Sequence, residues 1–256
     1  MSGILPYPAV LIPTYDNAGT VADVIREVRR HVSDVIVVDD GSRDGTAELL
    51  SGLKAEYGDG LTVLTHAVNR GKGGALKTGF LHARGMGFTH VITIDSDGQH
   101  SPGDIPAFLA AVREHPDAII VGSRNLAADR MPARNTFANR FSNFWFRLYT
   151  GVGLPDTQTG FRAYPLDRLH GLGLLTSRYE AELELLVFAS WHGTELFPIP
   201  IEVYYPPEDE RVSHFRPFLD FARISLLNTA LLFVSLPVGI PLRLRTCVRV
   251  LRKRKI

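Results

Sequence analysis

Cysteine is almost absent from this sequence of 256 residues, where Cys247 is the only one. A single cysteine cannot form an intrachain disulfide, which excludes the disulfide scaffolds of small secreted proteins as well as cysteine-rich zinc sites. A secretory signal is missing too, because the first apolar run, Ile4–Pro13, follows no basic segment and contains three prolines. We therefore expect residues 1–220 to lie on the cytoplasmic side of a membrane.

Acidic residues are missing from one region, the end of the chain. The formal net charge is +1, yet seven of the 28 lysines and arginines lie in residues 243–256. Residues 1–242 therefore carry 21 basic against 27 acidic side chains. A basic tail is typical of attachment to an anionic membrane surface, and the acidic body argues against nucleic acid as a partner. The oligomeric state stays open.

A long unbroken apolar run is also missing. The longest uncharged stretch, residues 224–242, has 19 residues and contains Pro237, Gly239 and Pro241. A straight helix of this length would reach only ~28 Å, which is borderline for a bilayer. We predict a helix that ends near Leu236 and attaches to the membrane surface together with the basic tail. The alternative is that the stretch packs on the domain or forms a dimer contact.

Short apolar runs alternate with segments of helical periodicity through the first half of the chain. Five runs are predicted to be strands: Ala9–Pro13, Asp34–Val38, Leu61–Thr65, His90–Ile94 and Ala118–Val121. Four segments are predicted to be helices: Thr20–Arg30, Gly45–Tyr57, Gly73–Met86 and Asp104–His115. This alternation predicts a doubly wound α/β domain with a mostly parallel sheet, flanked by helices, over residues 1–220.

The second half follows another pattern. We predict helices at Phe137–Thr150 and Arg178–His192 and a strand at Glu195–Val203, which together form a second layer over the sheet. Residues 156–162 between them are expected to form a polar loop. Residues 221–256 form the apolar helix and basic tail.

Polar side chains follow the predicted strands. Ligands of such sheets bind beyond the carboxyl ends of the strands, so these side chains are the first candidates for a site. Asp40 follows the second strand, and Asp95 and Asp97 follow the fourth. Alternate carboxylates at a strand end suit Mg²⁺ or Mn²⁺, which take one or two carboxylates together with substrate phosphates. Gln99 adds a neutral oxygen.

A glycine-rich segment, residues 69–75, precedes the third predicted helix. Its glycines and the helix start favour an anion site, to which Arg70 and Lys72 add positive charge. The segment lacks the spacing of a P-loop and of a dinucleotide fingerprint, which disfavours ATP hydrolysis and NAD chemistry. No glycine-rich triphosphate loop follows the first strand, so a nucleotidyltransferase is a weaker alternative.

Six ordered motifs together resemble a family 2 glycosyltransferase of GT-A fold, and most of all the dolichol- or polyprenyl-phosphate mannose and glucose synthases. The resemblance covers roughly residues 8–220. The motifs are Pro13-Thr14-Tyr15, Val38-Asp39-Asp40-Gly41-Ser42, Asn69-Arg70-Gly71-Lys72-Gly73, Asp95-Ser96-Asp97-Gly98-Gln99-His100, Gly122-Ser123-Arg124 and Asp156-Thr157-Gln158-Thr159-Gly160-Phe161-Arg162.

This resemblance implies a GDP- or UDP-hexose donor, a divalent cation and inversion at the anomeric carbon. The nucleotide contacts are expected at Pro13, Tyr15, Asp40, Lys72 and Asp95. The metal ligands are expected at Asp95, Asp97 and Gln99. The catalytic candidates are Asp97, Arg124, Arg211 and Glu182. A later motif of the family is shortened here to Arg211-Val212-Ser213-His214, which still resembles the loop that closes on the diphosphate.

The acceptor is expected to be polyprenyl phosphate at the membrane. A phosphate monoester loses its second proton near about pH 6, so it arrives as a nucleophile and needs cations rather than a base. Its candidate partners are Arg134, Arg140, Arg211, Ser213 and His214. A hydroxyl acceptor of another lipid or glycan would need a base, for which Glu182 is the best candidate. The alternative for Glu182 is a helix-start glutamate that complements the helix dipole.

Overall fold

The computed structural model describes residues 6–124, 133–169, 171, 173, 175–204, 217–239 and 241–242. A sheet of seven strands forms the centre of the molecule. The strands are β1 (Pro8–Thr14), β2 (Val35–Asp39), β3 (Leu61–Thr65), β4 (His90–Thr93), β5 (Ile119–Arg124), β6 (Arg162–Pro165) and β7 (Leu196–Ile201). The helices are α1 (Val21–Arg29), α2 (Thr46–Tyr57), α3 (Lys72–Gly85), α4 (Ile105–Glu114), α5 (Ala133–Thr150), α6 (Leu166–Leu169), α7 (Glu180–Trp191) and α8 (Pro217–Val234).

The strand order is β3-β2-β1-β4-β6-β5-β7. All pairs are parallel except those of β6, which runs antiparallel to both β4 and β5. The predicted mostly parallel sheet is therefore confirmed. Strand β2 illustrates the reason for this topology. All five of its residues are buried, and a continuous apolar run of this kind is typical of a central parallel strand with helices on both faces.

Strand β6 and the short helix α6 were absent from the sequence-based prediction. The strand has only four residues, ends in Pro165 and begins with a charged residue, Arg162. Such a segment offers no apolar alternation to detect. The antiparallel direction has a structural consequence, because the start of β6 lies level with the end of β4, where Arg162 pairs with Thr93. The polar loop before β6 thus reaches the same edge of the sheet as the segments that follow β2 and β4.

Helices α5 and α7 form a layer on the sheet, as predicted for the second half of the chain, and α8 adds to it. The predicted strand of that layer was placed wrongly, because β7 pairs with β5 and forms the edge of the central sheet. The three helices contact one another around buried apolar side chains, among them Phe146, Leu186, Trp191 and Leu231. Helix α7 is unusual because nearly every residue is buried, including three glutamates at its start. Its polar first turn therefore points into the protein and needs partners there.

Helix α8 ends at Val234, close to the predicted end, and one wider helical turn follows over residues 235–239. Asn228, Leu231 and Ser235 lie buried against the domain, while Leu226 and Phe233 are exposed. One face thus packs on the domain, as the alternative interpretation anticipated, and the other face stays open. No helix in the described part of the chain is long and apolar enough to cross a membrane. The basic tail lies outside the described residues.

Candidate active site

The carboxyl ends of β1, β2 and β4 meet at one edge of the sheet. Thr14 at the end of β1 pairs with Asp39 at the end of β2, and the Asp40 amide donates to the Thr14 carbonyl at 2.9 Å. Residues 95–100 follow β4, which lies on the other side of β1. The order jumps from β1 to β4 at this point, which is where open α/β sheets bind their ligands.

Asp40 is buried and holds the glycine-rich segment in place. Its carboxylate accepts the amides of Arg70 at 2.8 Å and Gly71 at 2.7 Å, and it lies 2.6 Å from His66 Nδ1. Both carboxylate oxygens therefore have partners within the chain. The structure gives Asp40 a role in loop geometry that the sequence did not reveal, as it did not reveal His66. A contact between Asp40 and a nucleotide stays a prediction.

The glycines of this segment allow close packing on the start of α7. A side chain at Gly71 would come within 2.7 Å of the Ser177 carbonyl oxygen, and one at Gly73 would collide with Ala181. The Gly74 amide donates to the Ser177 carbonyl at 2.9 Å. The start of α3 is thereby fixed against α7. This packing accounts for glycine at these positions, and the predicted anion contact stays a prediction.

Lys72, the first residue of α3, lies between two carboxylates from distant parts of the chain. Its ammonium group is 2.6 Å from Asp95 Oδ1 and 2.9 Å from Glu182 Oε2. Burial alone would lower the pKa of Lys72, but the two carboxylates outweigh burial and raise the pKa above its ordinary value. Burial likewise favours neutral Asp95, yet Lys72 reverses that effect and lowers the pKa of Asp95. The three side chains therefore form one cluster, in which Lys72 lies between the two carboxylates.

Gly160 leaves the room that this ion pair occupies. A β-carbon there would lie 2.6 Å from both Asp95 Oδ2 and Lys72 Nζ. Real β-carbons do not approach other atoms so closely, so any larger residue would displace the pair. The loop before β6 therefore forms one wall of the site.

Asp97 carries the least compensated charge of the site. Burial, and then the neighbouring charge of Asp95, raise the pKa of Asp97 to about 6. The backbone amide of Gln99 donates to Asp97 Oδ1 at 3.0 Å. This hydrogen bond stabilises the ionised form, but the effect is smaller than that of burial and Asp95. Asp97 thus lies where additional positive charge would be favourable.

The donor set of this loop fits a divalent cation that also binds phosphates. Among the described residues, no three of His, Cys, Asp and Glu lie together as a complete metal site. Mg²⁺ and Mn²⁺ do not need such a site, because they keep waters and use one or two carboxylates with substrate phosphates. Asp95 and Asp97 supply two carboxylates, whose mutual repulsion is visible in the raised pKa of Asp97. A metal contact of the Gln99 side chain stays a prediction.

His100 lies under the same loop, although the sequence analysis did not include it among the site residues. The ring is buried, its Nε2 is 3.3 Å from Thr159 Oγ1, and its Nδ1 is 4.0 Å from Asp95 Oδ2. Burial lowers the pKa of His100 to about 4, although Asp95 acts in the opposite direction. The ring is therefore neutral at physiological pH.

Arg124 at the end of β5 forms a second polar cluster with Asp156. The guanidinium contacts both carboxylate oxygens, with Nε 2.6 Å from Oδ2 and Nη2 3.0 Å from Oδ1. Asn139 of α5 also donates to Asp156, at 2.6 Å. Burial opposes ionisation of Asp156, but Arg124 more than compensates and lowers its pKa. Asp156 and Asn139 orient Arg124, a role that sequence reasoning missed for both.

The sequence of this chain matches a known protein family. The profile described as "Glycosyl transferase family 2" matches residues 9–164, more than half of the chain. The chain is a family 2 glycosyltransferase. The matched range contains β1–β6 and the loops that carry Asp40, Asp95, Asp97 and Asp156.

Two relatives are similar over three quarters of this glycosyltransferase. The undecaprenyl-phosphate mannosyltransferase of Micrococcus luteus is 30% identical over 75% of this chain and 81% of its own length. The UDP-N-acetylglucosamine–dolichyl-phosphate N-acetylglucosaminyltransferase of Methanococcus voltae is 29% identical over 77% of this chain and 85% of its own. Both names describe transfer of a sugar to a polyprenyl-type phosphate.

Solved structures confirm the GT-A type of fold. The glucosyl-3-phosphoglycerate synthase of Mycobacterium tuberculosis, solved with Mn²⁺, UDP and phosphoglyceric acid, has a TM-score of 0.66 at 19% identity. The alignment covers 90% of this chain and 78% of that one. The mannosyl-3-phosphoglycerate synthase of Rubrobacter xylanophilus has a TM-score of 0.61 at 18% identity, over 95% of this chain and 75% of that one.

The other residues predicted to bind the nucleotide or the acceptor lie outside the cluster of Lys72, Asp95 and Glu182, or outside the described residues. Pro13 is buried within β1, and Tyr15 is half-buried just after that strand. Arg140 lies exposed on α5. The side chain of Arg134 and residues Arg211, Ser213 and His214 lie outside the described part of the chain. The structure therefore brings together Lys72, Asp95 and Glu182, with Asp97 two residues beyond Asp95, and the predicted acceptor contacts stay predictions.

Proposed function

We propose that this enzyme transfers a hexose, with inversion, from a GDP- or UDP-linked donor to polyprenyl phosphate and depends on Mg²⁺ or Mn²⁺. The observation that carries the proposal is the half-buried Asp95–Asp97 pair at the topological switch of the sheet, where the pKa of Asp97 is raised to about 6. The Micrococcus and Methanococcus relatives support the choice of a lipid phosphate acceptor.

Asp95 and Asp97 would hold the cation, together with oxygens of the donor diphosphate. The cation would neutralise the charge that develops on the leaving nucleoside diphosphate. The chain contributes the rest of the arrangement. Lys72 keeps Asp95 ionised, and Arg124, oriented by Asp156, adds a fixed positive charge at the end of β5.

The state of Glu182 favours a phosphate acceptor over a hydroxyl. A phosphate dianion attacks without losing a proton, so the enzyme needs no base. Glu182 is buried, and its Oε2 lies 2.9 Å from the Lys72 ammonium group, so that oxygen already has a partner within the chain. The second candidate, transfer to a hydroxyl, requires Glu182 to leave this pair.

Attachment to the cytoplasmic face of the membrane is part of the proposal, because the proposed acceptor, a polyprenyl phosphate, is a membrane lipid. The open face of α8 presents Leu226 and Phe233, the turn that follows presents Leu236, and Phe144 is exposed on the neighbouring helix α5. These side chains would enter the interfacial layer of the bilayer. The seven basic residues that follow would add attraction to anionic lipids.

A labelled-sugar assay tests the proposal. Purified enzyme is incubated with a panel of GDP- and UDP-hexoses and polyprenyl phosphate in detergent, with MnCl₂ or with EDTA, and the organic phase is counted. Label in the lipid phase only with the metal is the expected result. Label with EDTA would contradict the metal dependence. Metal-dependent hydrolysis of a donor without lipid labelling would contradict the acceptor and favour the hydroxyl alternative.

A further inference from the structure

Lys72 contacts two segments that have different roles in the proposed reaction, the loop after β4 and the first turn of α7. Asp95 belongs to the loop proposed to bind the cation and the donor diphosphate. Glu182 belongs to the first turn of α7, which carries the candidate residue for the acceptor side. The ammonium group lies within 2.9 Å of a carboxylate oxygen from each.

The segments around Lys72 restrict the position of its ammonium group. Gly160 forms a wall against Lys72 Nζ, where even a β-carbon would be 2.6 Å away. The backbone of the residue is fixed as well, because Gly71 and Gly73 on either side of Lys72 pack on Ser177 and Ala181. The side chain of Lys72 is only 15% exposed, and those of Asp95 and Glu182 are 24% and 8% exposed.

Removal of Lys72 would take away the ion-pair partner that Asp95 and Glu182 share, and Arg162, whose charge acts on both, would be left as the positive charge between them. Like charges in a partly buried site repel, so without the shared ammonium group the two carboxylates would turn away from each other. Asp95 would then lose its fixed direction. Glu182 Oε1 is already buried without a hydrogen-bond partner, so the loss of Lys72 would leave both oxygens of this carboxylate without one.

We infer that Lys72 is a positioning residue, which sets the spacing between the cation-binding loop and α7 and does not bind the nucleotide. The inference rests on the proposed function, because its measure is the rate of that reaction. Two of the three ammonium donors are used by Asp95 and Glu182. The sequence-based prediction of Lys72 as a nucleotide contact is the competing hypothesis.

A double-mutant cycle separates the two roles. K72M, E182Q and K72M/E182Q are compared with the wild type by turnover at saturating donor and by calorimetric binding of UDP and GDP in EDTA. We expect K72M to lower kcat about tenfold in the wild-type background and less than about twofold in the E182Q background, because E182Q removes the repulsion. Nucleotide binding in EDTA is expected to change by less than about twofold in every variant.

K77M is the matched control. Lys77 lies on the same helix, and its ammonium group donates to the Thr176 carbonyl at 2.7 Å, just before α7. We expect K77M to show the same loss of kcat in both backgrounds. This result would show that the dependence on Glu182 belongs to Lys72 and is not a general effect of removing a lysine from α3.

Several outcomes would overturn the inference. Equal losses of kcat for K72M in both backgrounds would show that Lys72 does not act through Glu182. Weaker nucleotide binding in EDTA would show a direct contact with the nucleotide. If K72M unfolds but K72M/E182Q folds, the rescue supports the inference; if both unfold, Lys72 serves stability alone and the positioning role is wrong. A wild-type enzyme that binds nucleotide but transfers no sugar would contradict the proposed function instead.

Discussion

Two aspartates of this molecule, the half-buried Asp97 and the fully buried Asp156, differ in how completely their charge is compensated. Asp156 accepts hydrogen bonds from Arg124 and Asn139, and its pKa is lowered even though burial opposes ionisation. Asp97 accepts the backbone amide of Gln99 but has a like charge nearby, and burial and Asp95 raise its pKa to about 6. A carboxylate with a full set of partners maintains structure, whereas one without them is available for a ligand.

The largest expected effect is on turnover and comes from Asp97. D97N removes a proposed cation ligand, so we expect kcat to fall about a thousandfold, which is roughly 4 kcal/mol of barrier. The fold is not expected to suffer, because the variant removes an unfavourable buried charge. Turnover and a thermal melt in EDTA measure the two effects. Full activity in D97N would remove Asp97 from the site.

The next largest effect is on stability and comes from Asp156. D156N leaves Arg124 without its counter-charge in a buried cluster, so we expect the free energy of unfolding to fall by about 3 kcal/mol. Urea denaturation of D156N and wild type measures the loss. The matched variant D97N should lose nothing in the same experiment. Equal stability of D156N and wild type would abolish the contrast between the two aspartates.

The pH dependence of stability should have opposite sign at the two positions. Asp97 binds its proton more tightly when folded, so its contribution to stability without metal is full below its ordinary pKa of 3.8 and is lost as the pH rises through about 6. The contribution of Asp156 is present above its ordinary pKa and is lost as the pH falls through its lowered folded value. Urea denaturation in EDTA across this range measures both.

D97N should abolish the loss of stability between about pH 4 and about pH 6, and D156N should not affect it. The metal should reverse the dependence, since Mn²⁺ displaces the proton of Asp97. We expect the Mn²⁺ concentration at half-saturation to rise roughly tenfold per pH unit below about pH 6. Metal affinity that is independent of pH in this range would show that Asp97 is not a ligand.

The smallest expected effect is on membrane binding and comes from the open face of α8, away from Asp97 and Asp156. F233S replaces a side chain that is 69% exposed, so stability should not change. Sedimentation with vesicles of phosphatidylcholine and phosphatidylglycerol should show about threefold weaker binding, because one apolar side chain is lost from the interface. L81S is the matched control, since Leu81 is 73% exposed on α3. Equal losses in both variants would contradict a specific membrane face.

The sequence predicted the strands and the loops that follow them, because central parallel strands are continuous apolar runs and their carboxyl ends share one edge. It could not predict the partners. Lys72 and Glu182 are 110 positions apart, and their contact depends on the packing of α3 against α7. Asp40 appeared as a ligand candidate because nothing in the local sequence reveals that the amides of Arg70 and Gly71 reach it.

Charged residues inside the protein were equally hard to predict. Arg162 is fully buried and donates to the carbonyl oxygens of Thr157 and Glu182, although an arginine in a polar loop is ordinarily read as a surface residue. For the same reason β6 was missed. Its first residue is stabilised by contacts that the chain makes only after folding.

The loop before β6 has a property that matters for engineering the enzyme. It is anchored at one end by Asp156 and at the other by Arg162. Between residues 156 and 163, Gln158 is the only side chain exposed to solvent. A library at that single position would therefore vary the surface of the loop while the backbone keeps its shape. Because all substitutions at one position can be tested individually, such a library can be screened completely for altered donors or acceptors.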